Sequence, residues 1–227
     1  MTLRRLLPLV AVVLLAAGCG SSSKDSGSTT TATVPVIPKM AVTVFRIDGG
    51  LLRPTVEHVA RTSAVARTTL DALGVPEDVT IAGGTATVDL AKATNDQVAQ
   101  IVYTLTQFAA VQKVDVAGRS GLTRDDFPGY VPPIFVESPA AGADVPQTFH
   151  VSGTASVFEA TLVVQVVRDG KVLSKQTVTA SEGAPGRGAF DTTVTASPGA
   201  ATVQAFAPSA ADGSPQHEID VAVTVTQ

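Results

Sequence analysis

The stretch IVYTLTQFAAVQKVDV, residues 101–116, places a helical and an extended pattern side by side and decides the fold of the first half of the chain. Its first part carries apolar residues at the spacing of one helix face: Ile101, Val102, Leu105 and Phe108. Its second part, within VQKVDVAG (111–118), is typical of a strand. A helix followed at once by a strand predicts a helix packed on a sheet.

The residues before this stretch predict how the helix begins and which strands precede it. Thr94-Asn95-Asp96-Gln97 resembles a capping box, and Asp96 suits the positive end of a helix. Farther upstream, VTIAGGTATVDL (79–90) predicts two short strands joined at Gly83-Gly84, because paired glycines tolerate the positive φ angles of a tight turn.

The chain closer to the N-terminus supplies one more strand and one more helix. AVTVFRID (41–48) alternates as a strand does, and RPTVEHVA (53–60) is interpreted as leading toward the helix. Thr62 or Ser63 is the expected N-cap of that helix, and Gly74 is its expected C-terminal stop.

Together these elements predict an α+β domain at residues 41–119, in the order βαββαβ, with an open sheet and two helices on one of its faces. The next stretch, residues 120–132, contains glycine, proline and charged residues and is interpreted as a linker. It includes the acidic pair Asp125-Asp126, for which the local sequence offers nothing that would fix the geometry needed in acid–base catalysis.

Strand-like segments then follow at short intervals, and they predict an all-β sandwich at residues 133–227. They are IFVES (134–138), TFHVSGTA (148–155), TLVVQVVR (161–168), KVLSKQTVTA (171–180), GAFDTTVT (188–195), ATVQAFAP (201–208) and EIDVAVTVT (218–226). Asp169-Gly170 predicts a hairpin turn between two of them. The glycine-rich segment 183–188 lacks the pattern of a phosphate-binding loop and is expected to be a mobile loop.

The first domain resembles the GerMN domain of sporulation and spore-germination proteins. The resemblance rests on residues 101–116, on GGTATVDL (83–90), and on VTVFRID and LRPTVEHV (42–48 and 52–59). It implies a domain without enzymatic activity, and it raises self-association as an expectation because the family's fold is similar to ring-building envelope modules. Five residues of the first motif are interpreted as structural: Tyr103, Thr104, Thr106, Gln107 and Phe108.

The second domain resembles the Gmad immunoglobulin-like domain of bacterial spore-germination proteins. The resemblance rests mainly on GTASVFE (153–159), with FVESPAAG (135–142) and, more loosely, APSAADG (207–213). It implies an immunoglobulin-like sandwich, although this chain lacks the Cys…Trp…Cys core of a true immunoglobulin domain. Phe158 is predicted to plug the sandwich. Glu159 is predicted to accept from backbone amides or to form a surface contact, and the structural role is favoured.

The N-terminal segment MTLRRLLPLVAVVLLAAGCGSSS is typical of an export signal. Arg4 and Arg5 precede a twelve-residue apolar run, too short for a spanning helix of about 20 residues. Leu15 to Cys19 resembles the lipobox of bacterial lipoproteins, apart from Ala16 where leucine is preferred. The resemblance implies a signal peptide at residues 1–18, and acyl chains such as palmitate on Cys19. The alternative is an ordinary secretory peptide that happens to contain the cysteine.

Residues 19–40 predict a flexible tether between the lipidated cysteine and the first domain. The segment is rich in Ser, Thr and Gly, a composition that cannot bury enough apolar area to offset its ordering entropy. It would span about 25 Å as a coil and roughly 70 Å when stretched. The predicted location is therefore the extracytoplasmic face of the cell membrane, with the folded part attached through lipid.

Composition narrows the range of partners and cofactors. Removing the signal takes away two arginines and leaves 14 basic against 20 acidic residues, a net charge of −6. Nucleic-acid binding is not expected, because it needs clustered Lys and Arg. The three histidines, His58, His150 and His217, lie in no metal-binding spacing, so no metal, cofactor or catalytic residue is predicted.

Three functions remain open at this stage. The favoured one is a lipid-anchored, non-enzymatic envelope protein that binds or scaffolds, with an envelope protein or peptidoglycan as its partner. The second is an envelope hydrolase acting on peptidoglycan, which would require an acid or metal constellation assembled across the domains. A cleft between the domains that holds His58 and a carboxylate would favour it. The third is a ring-forming structural subunit of an envelope complex, built by self-association of the first domain.

Overall fold

A computed structural model describes residues 37–227. The predicted signal peptide, Cys19 and most of the predicted tether lie outside the described residues. Residues 37–227 belong to one compact unit. Neither helix of the described part is long and apolar enough to cross a membrane.

The first half of the described chain contains six strands and two helices. They are β1 (Lys39–Asp48), β2 (Leu51–Ala60), α1 (Val65–Leu73), β3 (Val79–Ala82), β4 (Thr85–Val88), α2 (Asn95–Leu105), β5 (Lys113–Val116) and β6 (Arg119–Leu122). The predicted α+β class with two helices is confirmed. The predicted order βαββαβ lacks β2 and β6, and the strands form two sheets, β1-β2 and β3-β4-β5-β6, in place of one.

The interpretation of residues 53–60 as a lead into a helix is wrong. These residues belong to β2, which pairs with β1 over its whole length, from Lys39 opposite Ala60 to Asp48 opposite Leu51. Pro54 disfavours a helix interior and the β-branched residues that follow favour a strand, so pairing with β1 decides the outcome.

The ends of the two helices test the capping predictions made from the sequence. The capping box of α2 is confirmed: the Thr94 hydroxyl accepts from the Gln97 amide at 3.2 Å, and the Thr94 amide donates to Gln97 Oε1 at 3.0 Å. Gly74 ends α1 in the left-handed conformation, as predicted. The N-cap prediction for α1 is wrong, because Ala64 occupies that position and the Thr62 hydroxyl accepts from the Ala64 amide without reaching the helix.

The second half of the described chain is all-β apart from short 3₁₀ turns. Its strands are β7 (Ile134–Ser138), β8 (Ala143–Val145), β9 (Thr148–Ala155), β10 (Thr161–Arg168), β11 (Lys171–Thr179), β12 (Gly188–Thr195), β13 (Gly199–Pro208) and β14 (Pro215–Val225). Two sheets, β11-β10-β13-β14-β8 and β12-β9-β7, share one apolar core, consistent with the predicted immunoglobulin-like sandwich. The Asp169-Gly170 turn is confirmed, and both residues have positive φ.

Strand β7 contributes to two cores. Ile134 and Val136 lie in the core of the sandwich, whereas Phe135 points to the other face and lies in the core of the first half. Two backbone hydrogen bonds add to this junction: Val56 donates to the Ala141 carbonyl at 2.8 Å, and the Ala141 amide donates to the Pro54 carbonyl at 3.0 Å. The α+β half and the sandwich are therefore packed together within this unit.

The segment predicted as a linker, residues 120–132, is folded onto the first half. It begins inside β6 and continues through two 3₁₀ turns, Arg124–Asp126 and Pro128–Tyr130. Phe127, between these turns, is buried in the core of the first half. This packing fixes the position of Arg124, on which the candidate site depends.

Candidate functional site

A groove of about 730 Å³ lies where the two halves of the chain meet. Its size is within the range of ligand sites in proteins. The lining combines β1, the chain between α2 and β5, the 123–125 turn and the end of β7. It consists of Thr43, Phe45, Thr106, Gln107, Val111, Gln112, Thr123, Arg124, Asp125, Glu137, Ser138 and Ala140. Most of these side chains are polar, so the groove suits a polar ligand.

Arg124 is held from several directions. Its guanidinium forms an ion pair with Glu137, and its Nε donates to the Thr106 hydroxyl at 2.9 Å. The same group lies over the rings of Tyr103 and Phe45, 4.8 Å and 5.4 Å from their centroids. The planar guanidinium thus joins the turn at 124–126, helix α2, strand β1 and the end of β7.

A β-bulge places the carboxylate that pairs with Arg124. Val136 lies opposite Gly153 of β9 and Ser138 opposite Ser152, so Glu137 is the extra residue in β7. A bulge changes the direction of the extra side chain relative to the regular alternation. Glu137 is half-buried in this position and faces the groove.

Three buried aromatic rings form the floor beneath this ion pair. The centroids of Phe45 and Tyr103 are 5.8 Å apart, those of Phe45 and Phe135 6.1 Å, and those of Tyr103 and Phe135 6.0 Å. Burial raises the pKa of the Tyr103 hydroxyl, while the Arg124 cation acts in the opposite direction. Tyr103 therefore stays protonated at neutral pH and donates to the Arg124 carbonyl at 3.4 Å.

The motif residues at the end of α2 have the structural roles that the sequence predicted. The Thr104 hydroxyl accepts from the Phe45 amide at 3.1 Å. Gln107 Nε2 donates to the carbonyls of Thr43 and Thr104, at 2.8 Å and 2.6 Å. Phe108 packs at the edge of the core. These contacts fix α2 against β1, and they leave Thr106 and Gln107 on the wall of the groove.

The acidic pair in the turn is more ordered than expected. The Asp126 carboxylate accepts from the Thr123 amide at 2.7 Å and from the Thr123 hydroxyl at 3.1 Å, which caps the 3₁₀ turn. The expectation that nothing fixes this pair is therefore wrong for Asp126. Asp125 lines the groove.

The histidines lie apart from the groove. His58 is an exposed residue of β2 and is not among the lining residues, so the groove is not the cleft with His58 and a carboxylate that would favour the hydrolase hypothesis. His150 Nδ1 lies 2.9 Å from an Asp191 carboxylate oxygen, with both side chains exposed. His217 has a positive φ within β14. Residues 37–227 contain no cluster of three His, Cys, Asp or Glu able to hold a metal.

Two predictions about the sandwich concern Phe158 and the glycine-rich segment, and the one for Phe158 is wrong. Phe158 does not plug the core: it is 71% exposed, and Val157 is buried in its place. The 183–188 segment, expected to be mobile, is held against the 157–160 turn, where the Ala184 amide donates to the Val157 carbonyl at 2.9 Å. Arg187 in the same segment donates to the Pro132 carbonyl at 2.8 Å.

Comparison with family models finds one match in each half of the chain. Residues 22–117 match the family described as sporulation and spore germination. Residues 133–214 match the immunoglobulin-like domain of bacterial spore germination. The chain thus carries domains similar to both families, in the order that the resemblances predicted. Neither family is one of enzymes. No curated protein matches the chain.

Proposed function

We propose that this chain is a lipid-anchored, non-catalytic protein of the cell envelope that binds a partner in the junction groove. The observation that carries the proposal is the fixed position of Arg124 in a groove built from both halves of the chain. Binding sites gain affinity when their polar groups are already held in place before the ligand arrives. The two family matches, both linked to spore germination, support a role in the envelope.

The contacts of the groove favour binding over catalysis. A general acid or base must be within reach of substrate and free to exchange a proton. Glu137 is instead paired with Arg124, and the Arg124 guanidinium is further occupied by the Thr106 hydroxyl. These groups are arranged to keep the shape and polarity of the groove constant, as recognition requires.

The charge of the chain supports the need for a covalent anchor. With the predicted signal removed, the net charge is −6, which repels the folded part from an anionic lipid surface. One acyl chain binds a membrane only marginally, whereas two or more on Cys19 would anchor it stably. The tether would then keep the groove near the membrane and open to partners in the envelope.

Replacing Cys19 with Ser should release the protein from the membrane or leave its signal uncut, because a hydroxyl cannot accept the thioether-linked lipid. The measurement is fractionation of cells that express each form, with mass spectrometry of the N-terminal peptide. Ser21→Ala, two residues away, is the matched control and should remain membrane-bound. A Cys19→Ser protein that is still processed and sediments with membranes would refute the anchor.

A photo-crosslinking amino acid at position 112 should capture the partner of the groove in intact cells. Gln112 lines the groove and is exposed, so the probe would face a bound molecule. Lys175, exposed on β11 of the sandwich and away from the groove, is the control position. The expected result is a discrete product from position 112 that contains an envelope protein or a wall fragment and is absent at position 175.

Two other results of the same experiment have definite meanings. Identical patterns at positions 112 and 175, or no product at either, would contradict binding in the groove. A product that contains two copies of this chain and nothing else would instead support the self-association hypothesis.

A further inference from the structure

One end of the sandwich displays an aromatic ring that packing does not explain. Phe158 is 71% exposed, while its neighbour Val157 is 3% exposed and lies in the sandwich core. Single exposed apolar residues are common on protein surfaces and need no explanation alone. The backbone that carries this ring, however, has an unusual conformation.

The two residues after Phe158 both have positive φ although neither is glycine: 53° at Glu159 and 54° at Ala160. Such conformations persist only where the surrounding structure imposes them, and they cluster at functional sites. Here the Ala160 amide donates to the Val157 carbonyl at 3.2 Å, and the Ala180 amide donates to the Ala160 carbonyl at 2.8 Å. Gly183 packs so closely that a Cβ there would lie 2.8 Å from the Ala160 nitrogen.

A groove of about 430 Å³ lies beside the ring of Phe158. Its other wall is formed by the end of β13 and the start of β14, where the pairing shifts between Ala205 opposite Ile219 and Ala207 opposite Gln216. His217 lies in this irregularity and is the third non-glycine residue with positive φ at this end of the sandwich. Bulges of this kind redirect side chains and are frequent beside binding sites.

The side chains that line the groove are mainly uncharged and include both apolar and polar ones. None of its lining residues is Asp, Glu, Lys or Arg. Small apolar side chains, such as Ala184, Ala207 and Ala211, alternate with polar ones, such as Ser209 and Gln216. The groove offers a cation no counter-charge and an anion only the imidazole of His217, whereas an uncharged ligand with one apolar face and hydrogen-bonding edges would be matched.

We propose that this groove binds an uncharged glycan of N-acetylhexosamine units, as in the glycan strands of a cell wall. The C–H bonds on one face of a pyranose ring would pack on Phe158, its hydroxyls would bond to the Gln216 amide, and the acetamido methyl would fit beside the alanines. This inference rests on the proposed function, because it names a wall glycan as one partner of the chain. It concerns the groove beside Phe158 and not the junction groove.

The isolation of Phe158 favours a sugar over a protein partner. Protein interfaces centre on clusters of several buried apolar or aromatic side chains. The large exposed hydrophobic residues within 37–227 are Ile37, Ile81, Phe158, Val172 and Leu173, and Phe158 is the one that lines this groove. One flat ring beside a polar-edged groove matches the area of a single pyranose.

The test is isothermal titration calorimetry on the purified full-length chain in mild detergent. The titrant is chitotetraose, a soluble oligomer of β-1,4-linked N-acetylglucosamine. Phe158→Ala should lower the affinity about tenfold or more, as loss of a central aromatic contact does. Phe158→Tyr keeps the ring and should bind within about threefold of the unaltered chain, a difference of under 1 kcal/mol. Val172→Ala, at an exposed apolar site on β11, should bind normally.

Several outcomes would overturn the proposal. They are no binding of chitotetraose to the unaltered chain, equal binding of maltotetraose, which lacks acetamido groups, and unchanged affinity in Phe158→Ala. Self-association that Phe158→Ala abolishes, seen by sedimentation without sugar, would assign the groove to a second copy and also overturn it. Each of these results is independent of Cys19 and of crosslinking at position 112, so failure here is distinguishable from failure of the proposed function.

Discussion

Replacing Phe135 with alanine should lower the free energy of unfolding by about 3–5 kcal/mol, the usual cost of removing a buried phenylalanine. The ring is 2% exposed and contacts Phe45 and Tyr103, with its plane at 80° to that of Tyr103. Alanine would leave a cavity that the neighbouring rings cannot fill, since both are fixed by their own contacts. The measurement is denaturant unfolding of the full-length chain in mild detergent.

The effect should extend to how the two halves unfold. Phe135 is carried by a strand of the sandwich but lies in the core of the first half, so both halves lose packing when it is truncated. We expect a single transition in the unaltered chain and two separated transitions in Phe135→Ala, because less apolar area then couples the halves. Tryptic cleavage after Arg124, in the segment that joins the two halves, should accelerate in parallel.

The matched control is Phe158→Ala, the same substitution at a ring that is 71% exposed. Because most of that ring is already in contact with solvent, its removal takes away little packing and should cost less than about 1 kcal/mol. If Phe135→Ala and Phe158→Ala destabilise equally, or if Phe135→Ala costs under about 1 kcal/mol, the ring does not occupy the core described above.

Short-range signals explain most of what the sequence predicted correctly. Seven strand segments of the second half were recognised because their alternation is local, and the turn at Asp169-Gly170 is set by two adjacent residues. The same holds for the capping box that begins with Thr94. Strand β8 was missed since three residues, Ala143–Val145, are too few to show alternation.

Predictions failed where a distant partner decides between local options. Residues 51–60 became a strand because β1 lies beside them, which no local pattern reveals. Val157 and Phe158 are adjacent and apolar, and they lie between β9 and β10, where no strand alternation indicates which one is buried. The structure buries Val157 and places Glu159 and Ala160 at positive φ directly after Phe158, so the sequence-based choice of Phe158 was wrong.

The candidate groove could not be found from spacing at all. Its main contacts join Phe45, Thr106, Arg124 and Glu137, residues that lie far apart in the chain. One weak signal existed: Glu137 is an acidic residue directly after three apolar residues of a strand segment, IFVES. By contrast, the prediction for Cys19 rests on a contiguous motif, which is why a sequence alone is able to suggest it.

Replacing Gly153 with alanine should destabilise the chain by about 3 kcal/mol or more, at or beyond the upper end of ordinary overpacking. Gly153 lies in β9, the middle strand of its sheet, opposite Val136 of β7 and Phe190 of β12. A Cβ would overlap the Phe135 carbonyl oxygen and lie 2.9 Å from the Phe135 carbonyl carbon. These are backbone atoms, so relief requires β7 to move away from β9.

Movement of β7 should also disturb the junction groove. This second effect distinguishes the close approach of β7 to β9 from a general loss of stability. Gly153 faces the bulge that directs Glu137 toward Arg124, with the Glu137 nitrogen 3.1 Å from the added Cβ. Crosslinking from position 112 should therefore weaken in Gly153→Ala at temperatures where the chain remains folded. The unfolding free energy is measured by denaturant titration, and the crosslinked product by its yield.

Gly129→Ala is the control, because a Cβ there meets nothing within 4 Å and the φ angle is not in the left-handed region. Its stability should stay within about 0.5 kcal/mol of the unaltered chain, with a small gain from the reduced freedom of the unfolded state. Equal stability of the two alanine variants would mean that β7 does not pass so close to β9. In that case neither the bulge at Glu137 nor the fixed position of Arg124 would hold, and the groove would lose its physical basis as a recognition site.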